Sequence, residues 1–142
     1  MRVMVILKYD GSTENDAIPT TENLEAMGRY NEELVKAGVL LAGEGLLPSE
    51  KGARVRFEAG KTSVIDGPFT EAKELVAGFW LWQVSSMEEG IEWLKRCPMP
   101  DDSPAEIEIR QVAEADDFGD ALTPEQRERE ERLRLEVEGR QG

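Results

Sequence analysis

"VAGFWLWQV", residues 76 to 84, decides how this chain folds. Read with a period of two, Phe79 and Leu81 face one way while Trp80, Trp82 and Val84 face the other. Both faces are apolar, so the segment is a strand that needs cover on both sides. The next residues, "SSMEEGIEWLKRCP", switch to helical spacing. Ser85 with Glu88 and Ser86 with Glu89 form overlapping capping boxes, Met87, Ile91, Leu94 and Cys97 make a stripe, and Pro98 ends it.

Working outward, "RVMVILKY" (residues 2 to 9) is a second strand apolar on both faces, with Val3, Val5 and Leu7 opposite Met4 and Ile6. A polar loop with Gly11 and Pro19 follows. Leu24, Met27, Tyr30, Leu34 and Val35 then recur as a helix, capped by Thr20 or Thr21 and stopped at Gly38. "GVLLAGEGLLP" reads as a strand bent or bulged at Gly43 and Gly45. "ARVRFEAGKTSVI" reads as a hairpin turning at Ala59-Gly60, and "AEIEIRQV" as an edge strand with one wet face. The order predicts an α+β, two-layer sandwich of ferredoxin-like kind. Two helices cover only one face of such a sheet. The greasy second face predicts a homodimer packed sheet to sheet, the C-terminal tail being the other segment that could cover it.

Composition narrows the function. With 39% hydrophobic and 33% charged residues in 142, the chain is a soluble globular protein of one domain plus a tail. A net charge of -13 argues against a nucleic-acid partner, since phosphate binding draws on Lys and Arg, and an acidic membrane surface would repel it. "VMVIL" is too short for a signal-peptide core or a membrane span, so we expect a cytoplasmic protein. With no histidine and one cysteine, no Ser-His-Asp or Cys-His pair, usual zinc site or intrachain disulfide can form. Acid–base work falls to carboxylates, lysines, tyrosines or the terminal amine. We expect no cofactor. Carboxylate pairs such as Asp101-Asp102 and Asp116-Asp117 lack calcium-loop spacing, and no metal is assigned. Cys97, at the negative end of its helix, is expected to be an inert packing thiol with a raised pKa.

Between the hairpin and the tryptophan strand lies "SVIDGPFTEAKE", residues 63 to 74. Asp66 can cap the short turn that follows Gly67-Pro68, which makes the corner architecture. The functional reading puts Asp66 at a strand end facing a cleft, with Glu71, Lys73 and Glu74 as further candidate catalytic groups. Outward-pointing, the same three form a solvated charge cluster. Glu44, Arg54, Gly67, Pro68 and Phe69 are the candidate ligand contacts. Glu44, in an apolar run, calls for a partner, Arg54 or Arg56, and this pair also reads as a rim salt bridge. The tryptophans read as core or dimer contacts before a ligand platform.

Asp66, Gly67, Pro68 and Phe69, followed by Glu71, Lys73 and Glu74, resemble the signature of the YCII-related proteins of the DGPF type. The flanking "AGVLLAGEGLLPS" and "GFWLWQVSSMEEGIEWLKRCP" are similar to the same family, so the resemblance spans residues 1 to 112. It implies a dimeric α/β barrel. The family is regarded as enzymatic on the strength of a cleft with a His and Asp pair, chemistry that a chain without histidine does not inherit. Its DGPF-type genes neighbour those of alternative sigma factors, which implies a regulatory role. Two readings follow: a small-molecule-binding dimer, lyase or isomerase in kind, or a non-catalytic regulatory or interaction protein with a purely structural corner.

Residues 113 to 142 form an acidic linker and a charged helical tail. Thr123-Pro124-Glu125-Gln126 is a capping box. Glu125 with Arg129, Glu128 with Arg132 and Glu130 with Arg134 place opposite charges four apart. Leu133, Leu135 and Val137 make no continuous stripe, so the tail reads as a solvated helix or, in the second function, a docking element.

Overall fold

A computed structural model of the protein describes residues 1–8, 19–69, 75–99 and 105–141. Two units divide the chain, Met1–Gln111 and Val112–Gly142. The first is α+β. Strands β1 (Arg2–Lys8), β2 (Leu40–Gly45), β5 (Val76–Gln83) and β6 (Ile107–Gln111) form an antiparallel sheet in the order β2-β5-β1-β6. Helix α1 (Thr21–Lys36) joins β1 to β2, and α2 (Met87–Lys95) joins β5 to β6. That order is the ferredoxin-like one, here with an inserted hairpin of β3 (Ala53–Glu58) and β4 (Lys61–Asp66) that forms its own two-stranded sheet.

The caps explain where the helices start. Thr20 Oγ1 accepts from the Asn23 amide at 3.1 Å and Ser86 Oγ from the Glu89 amide at 3.1 Å. Ser85 does not pair with Glu88. The Glu89 carboxylate turns back to the Ser85 hydroxyl and amide, which holds its pKa below the usual carboxylate range. Gly38 ends α1 at φ +73°, and Ala59 and Gly60, both at positive φ, give the hairpin a tight two-residue turn.

Pleating sorts the sheet into two faces. Val3, Val5, Trp80, Trp82 and Val84 bury themselves against Tyr30 and Leu34 of α1. Val3, Val5, Leu34 and Trp82 are fully buried, and each such side chain contributes about 1.5–3 kcal/mol. Gly90 and Trp93 help bring α2 onto this layer: a Cβ on Gly90 would meet Ile109 Cδ1 at 2.9 Å. Tyr30 spans the two helices by donating to the Trp93 carbonyl at 2.5 Å, and burial raises its phenol pKa. Arg96 and Glu33 pair at 2.8 Å across the same seam. On the other face Met4, Ile6, Phe79 and Leu81 stay half-buried, outside that core. Lys8 and Glu108 border them with an ion pair of 2.7 Å, which lowers the Glu108 pKa.

Several expectations change in detail. Leu24 and Val35, counted in the α1 stripe, are 59% and 60% exposed, because the buried face centres on Tyr30 and Leu34. Ile91 is likewise exposed on α2. β2 is an exposed edge strand with a bulge between Leu40 and Ala42, so Glu44 stands in solvent.

In the second unit a 3-10 segment, Ala115–Ala121, leads to α3 (Pro124–Gln141). Thr123 and Gln126 close the expected capping box at 2.9 and 3.2 Å. Residues 124 to 140 are all exposed. The three expected ion pairs do not close among the described residues. Other arginines do pair, Arg127 with Asp116 at 2.9 Å and Arg140 with Glu136. An exposed i, i+4 ion pair is worth little, so leaving the expected ones open costs little.

Candidate functional site

β2 and β5 pair so that Gly43 lies opposite Trp80 and Gly45 opposite Gly78, with Leu7 beyond Gly78 on β1. Gly43 is where the indole crosses the strand: a Cβ there would come within 2.5 Å of Trp80 Cδ1. Gly78 lets β2 come close, since its Cβ would stand 2.9 Å from the Glu44 carbonyl oxygen. A Cβ on Gly45 would meet nothing within 4 Å. Two facing glycines beneath a helix leave a void that larger side chains would fill in an ordinary core. The result is a cleft of about 300 Å³ between α1 and the β2 end of the sheet, lined by Leu7, Met27, Asn31, Gly45, Gly78 and Trp80 among others. That volume sits at the small end of known ligand sites.

Asn31 is the polar group that the sequence reading missed. It stands one position beyond Tyr30 on the inward stripe of α1, and a lone amide in an apolar stripe is the signal that could have found it. Its Oδ1 accepts from Trp80 Nε1 at 3.0 Å. An indole nitrogen only donates, so this contact fixes which end of the amide is oxygen. Glu44 also borders the cleft, but it lies opposite Phe79 in the register and its side chain leaves on the other face.

The Asp-Gly-Pro-Phe corner is built separately, against the 3-10 turn Ser49–Lys51 that follows β2. Gly67 donates to the Gly52 carbonyl at 3.1 Å and Phe69 to Ser49 Oγ at 2.9 Å. A Cβ on Gly67 would collide with the Ser49 carbonyl. Arg54 lays its guanidinium over the Phe69 ring, 3.8 Å from the centroid. Thus Arg54, Gly67, Pro68 and Phe69 come together as the anchored base of the hairpin, with the Gly67-Pro68 peptide bond cis. Asp66 is exposed at the end of β4. Glu71, Lys73 and Glu74 lie outside the described residues, as do Gly11, Asp101 and Asp102.

Glu44 does not join this group: no ion pair links it to Arg54 or Arg56 among the described residues, since an exposed carboxylate is satisfied by water and Arg54 is engaged by Phe69. Nor do the described residues gather three or more His, Cys, Asp or Glu side chains around a metal position. No described helix is long and apolar enough to cross a membrane. Trp80 and Trp82 pack 5.6 Å apart in the core, and Arg96 lies over the partly buried Trp93. Cys97 is buried, and that burial pushes its thiol pKa up to about 11.

The model of the YCII-related domain matches residues 1–116. The chain belongs to the YCII-related family. A relative, an uncharacterised protein of Rhizobium meliloti (strain 1021), is 35% identical over 111 residues, covering 76% of this chain and 90% of its own length. Among solved structures, the 5-chloro-2-hydroxyhydroquinone dehydrochlorinase (TftG) from Burkholderia phenoliruptrix AC1100, in complex with 2,5-dihydroxybenzoquinone, is similar with a TM-score of 0.48 and 17% identity, over 81% of this chain and 96% of that one. The YCII-related region contains both the cleft and the anchored corner, and most of the charged tail falls beyond it.

Proposed function

We propose that this YCII-related protein binds a small molecule in the cleft between α1 and the β2–β5 edge, and does so as a dimer joined through the half-buried face of its sheet. The observation that carries the reading is Gly45 facing Gly78 beneath α1. A void there forgoes packing that any larger pair would supply, and a ligand restores it. The apolar face of Met4, Ile6, Phe79 and Leu81 supports the dimer, because water is a poor neighbour for it.

Any lyase or isomerase chemistry in this protein falls to groups other than histidine, which the chain lacks, and carboxylates are the first candidates. The candidate acid and base, Asp66 with Glu71 and Glu74, and the positive charge of Lys73 belong to the Asp-Gly-Pro-Phe corner, and Asp66 is not among the residues that line the cleft. The corner's tight anchoring supports the second reading, in which Asp66 to Phe69 hold the hairpin in place and the protein binds without turning over.

The test is Gly45→Leu, whose Cβ would stand in open space beside the cleft that its side chain would fill. In a metabolite thermal-shift screen, hits that stabilise the parent protein should no longer stabilise this variant, while its own Tm stays within a few degrees. Hits that stabilise both proteins equally would place binding elsewhere.

A further inference from the structure

The polar groups of the cleft restrict what it can hold. Trp80 Nε1 occupies Asn31 Oδ1 at 3.0 Å, and no acceptor among the described residues bonds to the Asn31 amide nitrogen. The cleft therefore presents two N–H donors from a side chain that α1 and Trp80 hold in place. The other lining side chains named above, Leu7, Met27 and Trp80, carry no formal charge. The net charge of -13 opposes an anion. An ammonium ion gains nothing from the two Asn31 N–H donors, and it would lose hydration on entering an apolar space.

Resting on the cleft reading above, we infer that the ligand is a small, uncharged molecule with a carbonyl-type acceptor, which the Asn31 amide nitrogen recognises. Asn31 is thus the specificity residue of the site. The Trp80 indole acts through it by fixing the orientation of the amide. A donor that a ligand buries without giving it an acceptor costs about 1–3 kcal/mol, so the site discriminates against ligands that lack one.

The full chain, labelled with ¹⁵N, should be titrated with acetophenone, benzoate and benzylammonium, three single-ring probes that differ in charge. Acetophenone should move the Asn31 side-chain amide and Trp80 indole resonances, and the two ions should not. Asn31→Asp keeps an acceptor for Trp80 and removes both donors. It should weaken acetophenone at least tenfold while the rest of the spectrum keeps its dispersion. Acetophenone that leaves both resonances unmoved, or an Asn31→Asp affinity within twofold of the parent, overturns the inference. If an ion binds and Gly45→Leu abolishes it, the cleft stands and the neutral-acceptor inference falls. If acetophenone binds Gly45→Leu as well as the parent, the cleft reading falls too.

Discussion

Arg54 stacks on Phe69, its guanidinium carbon 3.8 Å from the ring centroid, and so closes the base of the β3–β4 hairpin onto the Asp-Gly-Pro-Phe corner. A cation over an aromatic ring at an exposed site is worth about 0.5–1 kcal/mol. A double-mutant cycle of Arg54→Ala and Phe69→Ala should therefore return a coupling of about that size in urea unfolding. Strictly additive single effects would show that the stack contributes nothing.

Gly67 and Asp66 are neighbours with different duties. Gly67→Ala drives a methyl into the Ser49 carbonyl and should cost about 1–3 kcal/mol. Asp66→Asn changes an exposed strand end and should move stability by less than about 0.5 kcal/mol. If Asp66→Asn unfolds the protein as readily as Gly67→Ala, Asp66 is the capping residue of the corner and loses its candidacy as an acid or base.

Alkaline pH should loosen the core. Burial lifts the Cys97 thiol from 9.0 to about 11 and raises the Tyr30 phenol above its usual 10.0. Both groups ionise more easily in the unfolded chain, so the unfolded state binds fewer protons above pH 9 and stability falls with rising pH. The contribution of Cys97 is complete below pH 9 and gone above pH 11. Melting curves recorded from pH 8 to 11 should show Tm dropping across that window, with a shallower drop for Cys97→Ala. A flat profile would mean that neither group is desolvated.

Leu81 lies at the middle of the half-buried sheet face, opposite Met4 on β1 and Ala42 on β2. A charge placed there would have to be desolvated for two sheets to pack together. In sedimentation velocity at micromolar concentration, the parent protein should run as a dimer and Leu81→Arg as a monomer with unchanged secondary structure. A monomeric parent would remove the dimer from the proposal.

What could be read without coordinates was local or periodic. Thr20, Ser86 and the Thr123–Gln126 box announced their helices, because a cap bonds within about four residues. The Ala59-Gly60 turn announced its hairpin for the same reason. The apolar alternation through Val76–Gln83 identified the central β5 strand, since side chains on a pleated strand must choose sides every second residue. Together with the helical stripes, that was enough for the ferredoxin-like order.

Tertiary structure alone decided the rest, because it depends on register between distant segments. Asn31 and Trp80 are 49 positions apart, and nothing near either residue says that they meet. Gly45 faces Gly78 only once the β2 bulge has set the pairing of the two strands. Had the register slipped by one residue, every side chain would have changed face and the glycine void would have closed. The sequence by itself therefore determined which segments are strands and helices and which faces are greasy. Folding decided that two glycines and an amide converge under α1, because cross-strand register belongs to pairs of segments and is carried by neither one alone.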